Sequence, residues 1–104
     1  MKINVLKVCA DGEFEELLIE PSIVDVRREL GAAIDNIKLF TDVQSFICRL
    51  PYECRENVLM PGVYGDVIFI GGRGSYLAGL SPRQMSNLKK IFSGGNYGEA
   101  RLQN

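Results

Sequence analysis

The sequence predicts an α+β fold, with a mostly antiparallel sheet of about five strands and two helices on one face. A tight-turn signal, Asp11-Gly12, separates two runs of strand composition near the start. Two later segments begin and end with helix-capping residues. Residues 67–70 are four consecutive apolar residues, a pattern typical of a strand buried on both faces. The resulting order is ββαββ, a loop and βα, in which hairpins predominate, and this order favours an antiparallel sheet.

The first elements are a hairpin and a short helix. Residues 2–9 and 14–19 have strand composition, and the turn between them supplies positions for positive φ. Ser22 is a favourable N-cap and Gly31 a favourable helix end. Between them three apolar residues fall at helical spacing and predict a buried stripe: Ile23, Val26 and Leu30.

Two strands, an irregular segment and the central strand follow. Residues 34–40 and 43–48 are predicted as the third and fourth strands. Residues 51–65 contain prolines and glycines and have no clear period, which is typical of a functional loop or of a flap that covers the core. In the second interpretation Val58, Leu59 and Tyr64 would seal the core. Residues 67–70 then form the fifth strand.

The last helix begins at Ser81, with Pro82 in its first turn, and ends at Gly94-Gly95. We therefore expect one α+β domain over residues 1–95 and a flexible C-terminal tail over residues 96–104, which is polar and has few apolar anchors. With 104 residues, 46% of them hydrophobic, the chain is long enough for one core. No apolar run reaches the length of a membrane span, and the start has strand character rather than that of a secretory signal, so we expect a cytoplasmic protein with no membrane partner.

The residue types present exclude several kinds of site. The chain has no histidine, which removes Ser–His–Asp and Cys–His catalysis and histidine-containing zinc sites. The three cysteines are an odd number, and Cys48 and Cys54 do not have a common zinc-ligand spacing. Cys54 precedes Arg55, whose charge would lower the thiol pKa, but one arginine does not make a nucleophile. We expect no metal, no cofactor and no enzymatic activity.

Charge is unevenly distributed along a chain whose net charge is only −1. Residues 1–70 hold seven Lys or Arg against twelve Asp or Glu, whereas residues 71–104 hold five against one. An anion would be attracted to the second segment. The alternative interpretation is a helix surface that is basic without function. The small net charge makes nucleic acid a disfavoured partner.

The predicted binding site is the glycine loop that follows the fifth strand. It lacks the Gly-Lys-Ser/Thr ending of a Walker A loop and the spacing of GxGxxG, so nucleotide hydrolysis is disfavoured. Backbone amides and one guanidinium would instead contact phosphate or carboxylate, with nearby tyrosines to stack a base. The predicted ligand-binding residues are Gly71, Gly72, Arg73, Gly74, Tyr64 and Tyr76. The alternatives are a tight basic turn with no ligand, and tyrosines whose rings only cover the core.

The second half of the chain contains, in order, the segments Ile34-Asp35, Lys38-Leu39-Phe40, Phe46-Ile47-Cys48, Asp66-Val67-Ile68 and Leu80-Ser81 with a helix ending at Phe92. In these segments the chain resembles a family of small uncharacterised domains carried by phages and mobile elements of Gram-positive bacteria and their gut relatives. The similarity covers about residues 17–93. The chain departs from the family pattern at residues 49–60, where Asn-rich turns are expected and only Asn57 is present. The family has no established catalytic residues.

The expected function is that of a non-enzymatic binding protein of phage or mobile-element type. In counter-defence it would sequester an anionic nucleotide-like ligand, with Arg73 holding the anion. Sharing a pocket between copies would favour a homo-oligomer. The alternative is a protein–protein interaction module without a small ligand, which blocks a host protein through residues 51–65.

Overall fold

The computed structural model describes residues 1–31, 33–50, 53–95 and 97–98. It confirms the α+β class, with an antiparallel sheet and two helices. The predicted third strand ends three residues early, at Ile37, and the glycine loop opens a further short strand. The elements are β1 (Ile3–Val8), β2 (Phe14–Ile19), α1 (Ile23–Leu30), β3 (Ile34–Ile37), β4 (Gln44–Cys48), β5 (Val67–Arg73), β6 (Tyr76–Ala78) and α2 (Pro82–Ser93).

The sheet has the strand order β2-β1-β5-β4-β3, and β6 pairs with the far end of β5. Every strand pairing among the described residues is antiparallel. β5 lies between β1 and β4, with Phe69 opposite Leu6 on one side and Ser45 on the other. This central position explains why residues 67–70 are all apolar, because both faces of the strand are buried.

The two helices cover opposite faces of the sheet, so the prediction that both lie on one face is wrong. Val26 of α1 packs in a cluster with Ile68 and Ile70, whereas Phe92 of α2 packs in a separate cluster with Phe69. Successive side chains of a strand point to opposite faces. A strand that is apolar at every position therefore needs a cover on each side, and one helix supplies each.

The predicted helix caps are confirmed. The Ser22 hydroxyl accepts a hydrogen bond from the Asp25 amide at 3.2 Å, and Gly31 ends α1 in the left-handed conformation with φ 71°. Ser81 and Gln84 form a capping box at the start of α2, since each side chain bonds the other residue's backbone amide.

Residues 53–65 form a flap over one end of the sheet, held by a buried asparagine. Asn57 is 1% exposed, and its amide nitrogen lies 3.1–3.4 Å from three carbonyl oxygens, while its oxygen accepts from the Leu59 amide at 3.0 Å. These bonds tie the flap to the end of β1 and to the start of β5. The three carbonyls belong to Val8, Cys9 and Gly65.

The flap does cover the core, but with other side chains than the sequence predicts. Met60 and Val63 are buried in the cluster under α2, and Leu59 packs partly against it. Val58 and Tyr64 point outward, with 62% and 41% of their surface exposed. Their assignment as core-sealing residues is therefore wrong. The chain turns tightly within the flap, up to Gly62. Apolar side chains therefore lie on both sides of the flap, and only one side contacts the core.

The chain packs onto the core as far as Tyr97. Its ring is 4% exposed, stacks on Phe92 with centroids 6.2 Å apart and meets the edge of Phe40 at 6.0 Å. Tyr97 is thus an apolar anchor beyond the predicted end of the domain. Of the other positions in the predicted tail, Gly98 is described, and positions 96 and 99–104 lie outside the described residues. None of the described helices has the length and apolar character needed to cross a membrane.

Candidate functional site

The predicted glycine loop is the tip of an ordered β-hairpin. Arg73 pairs with Tyr76 across it, and Gly74-Ser75 form the two-residue connection. Gly74 has φ 56°, while Ser75 does not have a positive φ, which matches the φ pattern of a type II′ turn with glycine at its first central position. The segment is therefore a strand end and a tight turn that present Arg73, rather than an open loop around a ligand.

Two of its glycines are required by the close approach of the hairpin's own backbone. A Cβ atom on Gly72 would lie 2.0 Å from the Tyr76 carbonyl oxygen, and one on Gly71 would lie 2.6 Å from the Gly79 carbonyl oxygen. Gly72 also has φ 89°. No residue with a side chain fits these positions without moving backbone. The glycines at these two positions are therefore explained by the geometry of the hairpin, without a ligand.

A buried glutamine holds the hairpin to the rest of the sheet. The Gln44 side chain is at the start of β4 and is largely buried, and its amide nitrogen donates to the carbonyls of Gly71 and Tyr76, each at 3.3 Å. Its oxygen accepts from the Asn36 amide group at 3.1 Å. Sequence analysis missed this residue, although a glutamine that opens an apolar strand is a usable signal for a satisfied buried amide.

The hairpin forms one wall of an open groove of about 920 Å³. The β3–β4 connection and the start of α2 also line it. This volume lies within the range of small-molecule sites. Its lining includes the polar and aromatic side chains of Lys38, Asp42, Gln44, Arg73, Tyr76 and Gln84.

The groove presents more positive than negative charge. Lys38 and Arg73 are both exposed, and the side chain of neither forms a hydrogen bond or an ion pair with any residue in the described part of the chain. Asp42 is the carboxylate among the lining residues. Because the two cations have no partner in the described ranges, both remain free to meet an anion.

The structure brings only part of the predicted site together. Gly72, Arg73, Gly74 and Tyr76 line the groove, and the ring of Tyr76 is 70% exposed. Tyr64 lies before the opposite end of β5, where it forms a bridge with Glu56. β5 has seven residues, so its ends are roughly 20 Å apart, and Tyr64 does not share a groove with Arg73.

The remaining cations predicted to attract anions have other surroundings. Lys89 of α2 is bound to the Glu16 carboxylate of β2, across a second groove of about 600 Å³ that has Leu80 and Met85 in its lining. Arg83 and Lys90 are exposed on α2. The Lys89 charge is thus neutralised. In the groove beside the hairpin, the predicted attraction for an anion comes from Arg73 together with Lys38 from the first half of the chain.

The cysteines lack the electrostatics of nucleophiles. Burial raises the pKa of the Cys54 thiol above its ordinary value, a hydrogen bond with Cys48 and the Glu53 carboxylate raise it further, and no cation offsets them. Burial also raises the pKa of Cys9, again with help from nearby carboxylates. Both thiols therefore stay protonated at neutral pH, and the lowering expected from the arginine next to Cys54 does not occur.

No protein-family model matches the chain, and no curated protein or solved structure is significantly similar to it. Within the described ranges no three cysteine, aspartate or glutamate side chains converge in a metal-binding arrangement. The chemistry of the groove therefore has to be read from its own side chains: two free cations, one carboxylate, an exposed aromatic ring and amide groups. This set can bind and orient an anion.

Proposed function

We propose that the protein is a non-enzymatic binding protein that holds an anionic, nucleotide-like molecule in the groove beside the β5–β6 hairpin. The observation that carries the proposal is that two cations with unpartnered side chains, Lys38 and Arg73, line the same groove. Two such cations lining one groove can contact the same anionic ligand.

Each lining side chain has a distinct role in this proposal. The Arg73 guanidinium forks onto phosphate oxygens, and Lys38 adds a second positive charge in the same groove. The exposed ring of Tyr76 stacks on the base, since aromatic stacking needs an accessible face. Gln44 does not face the ligand as a donor, because its amide nitrogen is bonded to Gly71 and Tyr76, but it fixes the hairpin that carries both ligand contacts.

The biological setting that we propose is the one implied by the family resemblance. A small cytoplasmic protein from a phage or mobile element would act by sequestering a host nucleotide signal in counter-defence. The groove supports this role by offering positive charge and an aromatic surface for stacking. The property that decides this proposal is the affinity for the ligand.

The test is a calorimetric titration with AMP and, separately, with inorganic pyrophosphate. We expect Arg73→Ala to weaken binding roughly tenfold or more, because hydrogen bonds to charged groups contribute about 1.5–3 kcal/mol. Arg27→Ala is the matched control, since Arg27 is exposed in the last turn of α1 and does not line the groove. Equal affinities for the two variants would contradict the proposal.

A second candidate function is a protein-interaction module that blocks a host protein through the flap. It is favoured by the exposure of Val58 and Tyr64, two large apolar or aromatic side chains on the outer side of the same short segment. Pull-down with the purified protein, followed by identification of the captured host protein, separates the two functions. Under this alternative Tyr64→Ala loses the partner and Arg73→Ala keeps it; the reverse pattern excludes it.

A further inference from the structure

Two of the three cysteines meet at one carbonyl group beneath the flap. Cys48 is the last residue of β4, and Cys54 lies near the start of the flap. Both thiols donate to the Leu50 carbonyl oxygen, each with a sulfur-to-oxygen distance of 3.7 Å. The two sulfur atoms therefore lie near the same carbonyl oxygen in the folded protein.

A buried glycine leaves room for this pair. Gly65, just before β5, has φ 83°, and a Cβ atom there would lie 3.1 Å from both the Cβ and the Sγ of Cys54 and 4.0 Å from the Cβ of Cys48. The two cysteine side chains thus flank one point on the backbone. Their Cβ atoms lie near the same point, and a small shift of the segment that carries Cys54 would bring them to the separation of a disulfide.

The two thiols differ in access from solvent. Cys48 is buried, with 6% exposed, whereas Cys54 is partly exposed. Cys9 stands apart, since its thiol contacts the Glu15 carboxylate at 3.9 Å and no other cysteine. The fold thus supplies an accessible thiol, a buried thiol beside it and a lone thiol elsewhere for comparison.

We propose that Cys48 and Cys54 form a modification site at which a low-molecular-weight disulfide such as oxidised glutathione converts the pair to an intramolecular disulfide. The Cys54 thiolate attacks one sulfur of oxidised glutathione and releases one glutathione thiolate. The Cys48 thiolate then attacks the Cys54 sulfur of this mixed disulfide and releases the second. Two protein thiols are oxidised, one small disulfide is reduced to two thiols, and reduced glutathione reverses the reaction.

The new bond would join the end of β4 to the segment that leads into the flap. Before oxidation, hydrogen bonds from the Cys54 thiol and from the Glu53 amide to the Leu50 carbonyl hold this part of the chain in place. Oxidation closes a covalent ring over residues 48–54 and restricts the part of the chain that presents Val58 and Tyr64. The site is independent of the groove that holds Arg73, since neither cysteine lines that groove.

The test uses the full chain in a buffer of oxidised and reduced glutathione, followed by intact mass and peptide mapping. A mildly alkaline buffer is used, because burial and the carboxylates of Glu53 and Asp66 raise the pKa of Cys54 and make its attack slow at neutral pH. We expect one disulfide between Cys48 and Cys54, in both the original protein and Cys9→Ser. Cys48→Ser is expected to stop at a glutathione adduct on Cys54.

A second measurement shows whether the fold favours the pairing. The ratio of disulfide to dithiol, at fixed glutathione, is compared in native buffer and in denaturant with Cys9→Ser. We expect the ratio of disulfide to dithiol to be about tenfold higher in native buffer than in denaturant, because the folded protein favours a disulfide that fits its structure. A native ratio equal to or below the denatured one overturns the proposal, as does a native product with glutathione on both cysteines.

Discussion

At the scale of the residue, the least expected group in the core is the hydroxyl of Ser45. Ser45 lies in β4, opposite Ile37 on one side and Phe69 on the other, and it is fully buried. Its oxygen has no hydrogen-bond partner among the described residues. A buried hydroxyl without a partner has lost its bonds to water and gained none in return, which costs free energy.

Removing that hydroxyl is expected to stabilise the protein. We predict that Ser45→Ala raises the free energy of unfolding by about 1 kcal/mol, measured by denaturant titration. Ser45→Thr keeps the hydroxyl and adds a methyl group to a packed site, so it is expected to lower the free energy of unfolding by about 1 kcal/mol. A loss of stability in Ser45→Ala would mean that the hydroxyl contributes a favourable interaction.

Single residues also show how far the sequence determines the site. The hydroxyls of Ser22 and Ser81 could be predicted as caps because a cap is a local device, set by residues three positions apart. Gln44 and Lys38 could not be predicted as parts of one site, because the pairing of β3, β4 and β5 across the sheet brings them to the groove. Arg73 could be predicted as a groove residue because it follows the buried run at residues 67–70. Tyr64 was wrongly predicted to share that site, because closeness in sequence does not fix at which end of a strand a side chain lies.

At the scale of the element, the β5–β6 hairpin depends on the backbone contact at Gly72. Any side chain there meets the carbonyl of Tyr76, whereas Gly74 has open space and only a positive φ. We predict that Gly72→Ala lowers the free energy of unfolding by about 3 kcal/mol or more, and Gly74→Ala by about 1 kcal/mol. Denaturant titrations of the two variants make the comparison.

The same pair of variants bears on ligand binding. Gly72→Ala is expected to move the hairpin and so displace both Arg73 and Tyr76, whereas Gly74→Ala leaves the strand pairing of these residues in place. Equal stability of the two variants would show that the close approach at Gly72 does not constrain the hairpin.

Elements differ in how well the sequence predicts them. The strands with clear apolar patterns and the two capped helices were predicted because each has a local signal of sufficient length. β6 was missed because three residues beside a glycine-rich turn show no period. The side of the sheet occupied by each helix was predicted wrongly. The apolar run over residues 67–70 indicates a strand buried on both faces, but it does not show which element covers each face.

At the scale of the whole molecule, charge from both halves of the chain meets at one groove. The excess of positive charge after residue 70 predicts an anion site, but Lys89 is neutralised by Glu16, and the second free cation of the groove, Lys38, comes from the acidic half. The fold therefore brings only a few of the charged side chains to the groove. The proposed function depends on these side chains and not on the net charge of the chain, which is −1.

The central claim is that this groove holds an anionic nucleotide-like molecule, and mass spectrometry of the heat-released fraction tests it most directly. The original protein and Arg73→Ala are purified in parallel and denatured, and the small molecules released from each are quantified. We predict an ultraviolet-absorbing, phosphate-containing molecule from the original protein and a markedly smaller amount from Arg73→Ala. Release of no such molecule from the original protein, or of equal amounts from both, would contradict the account.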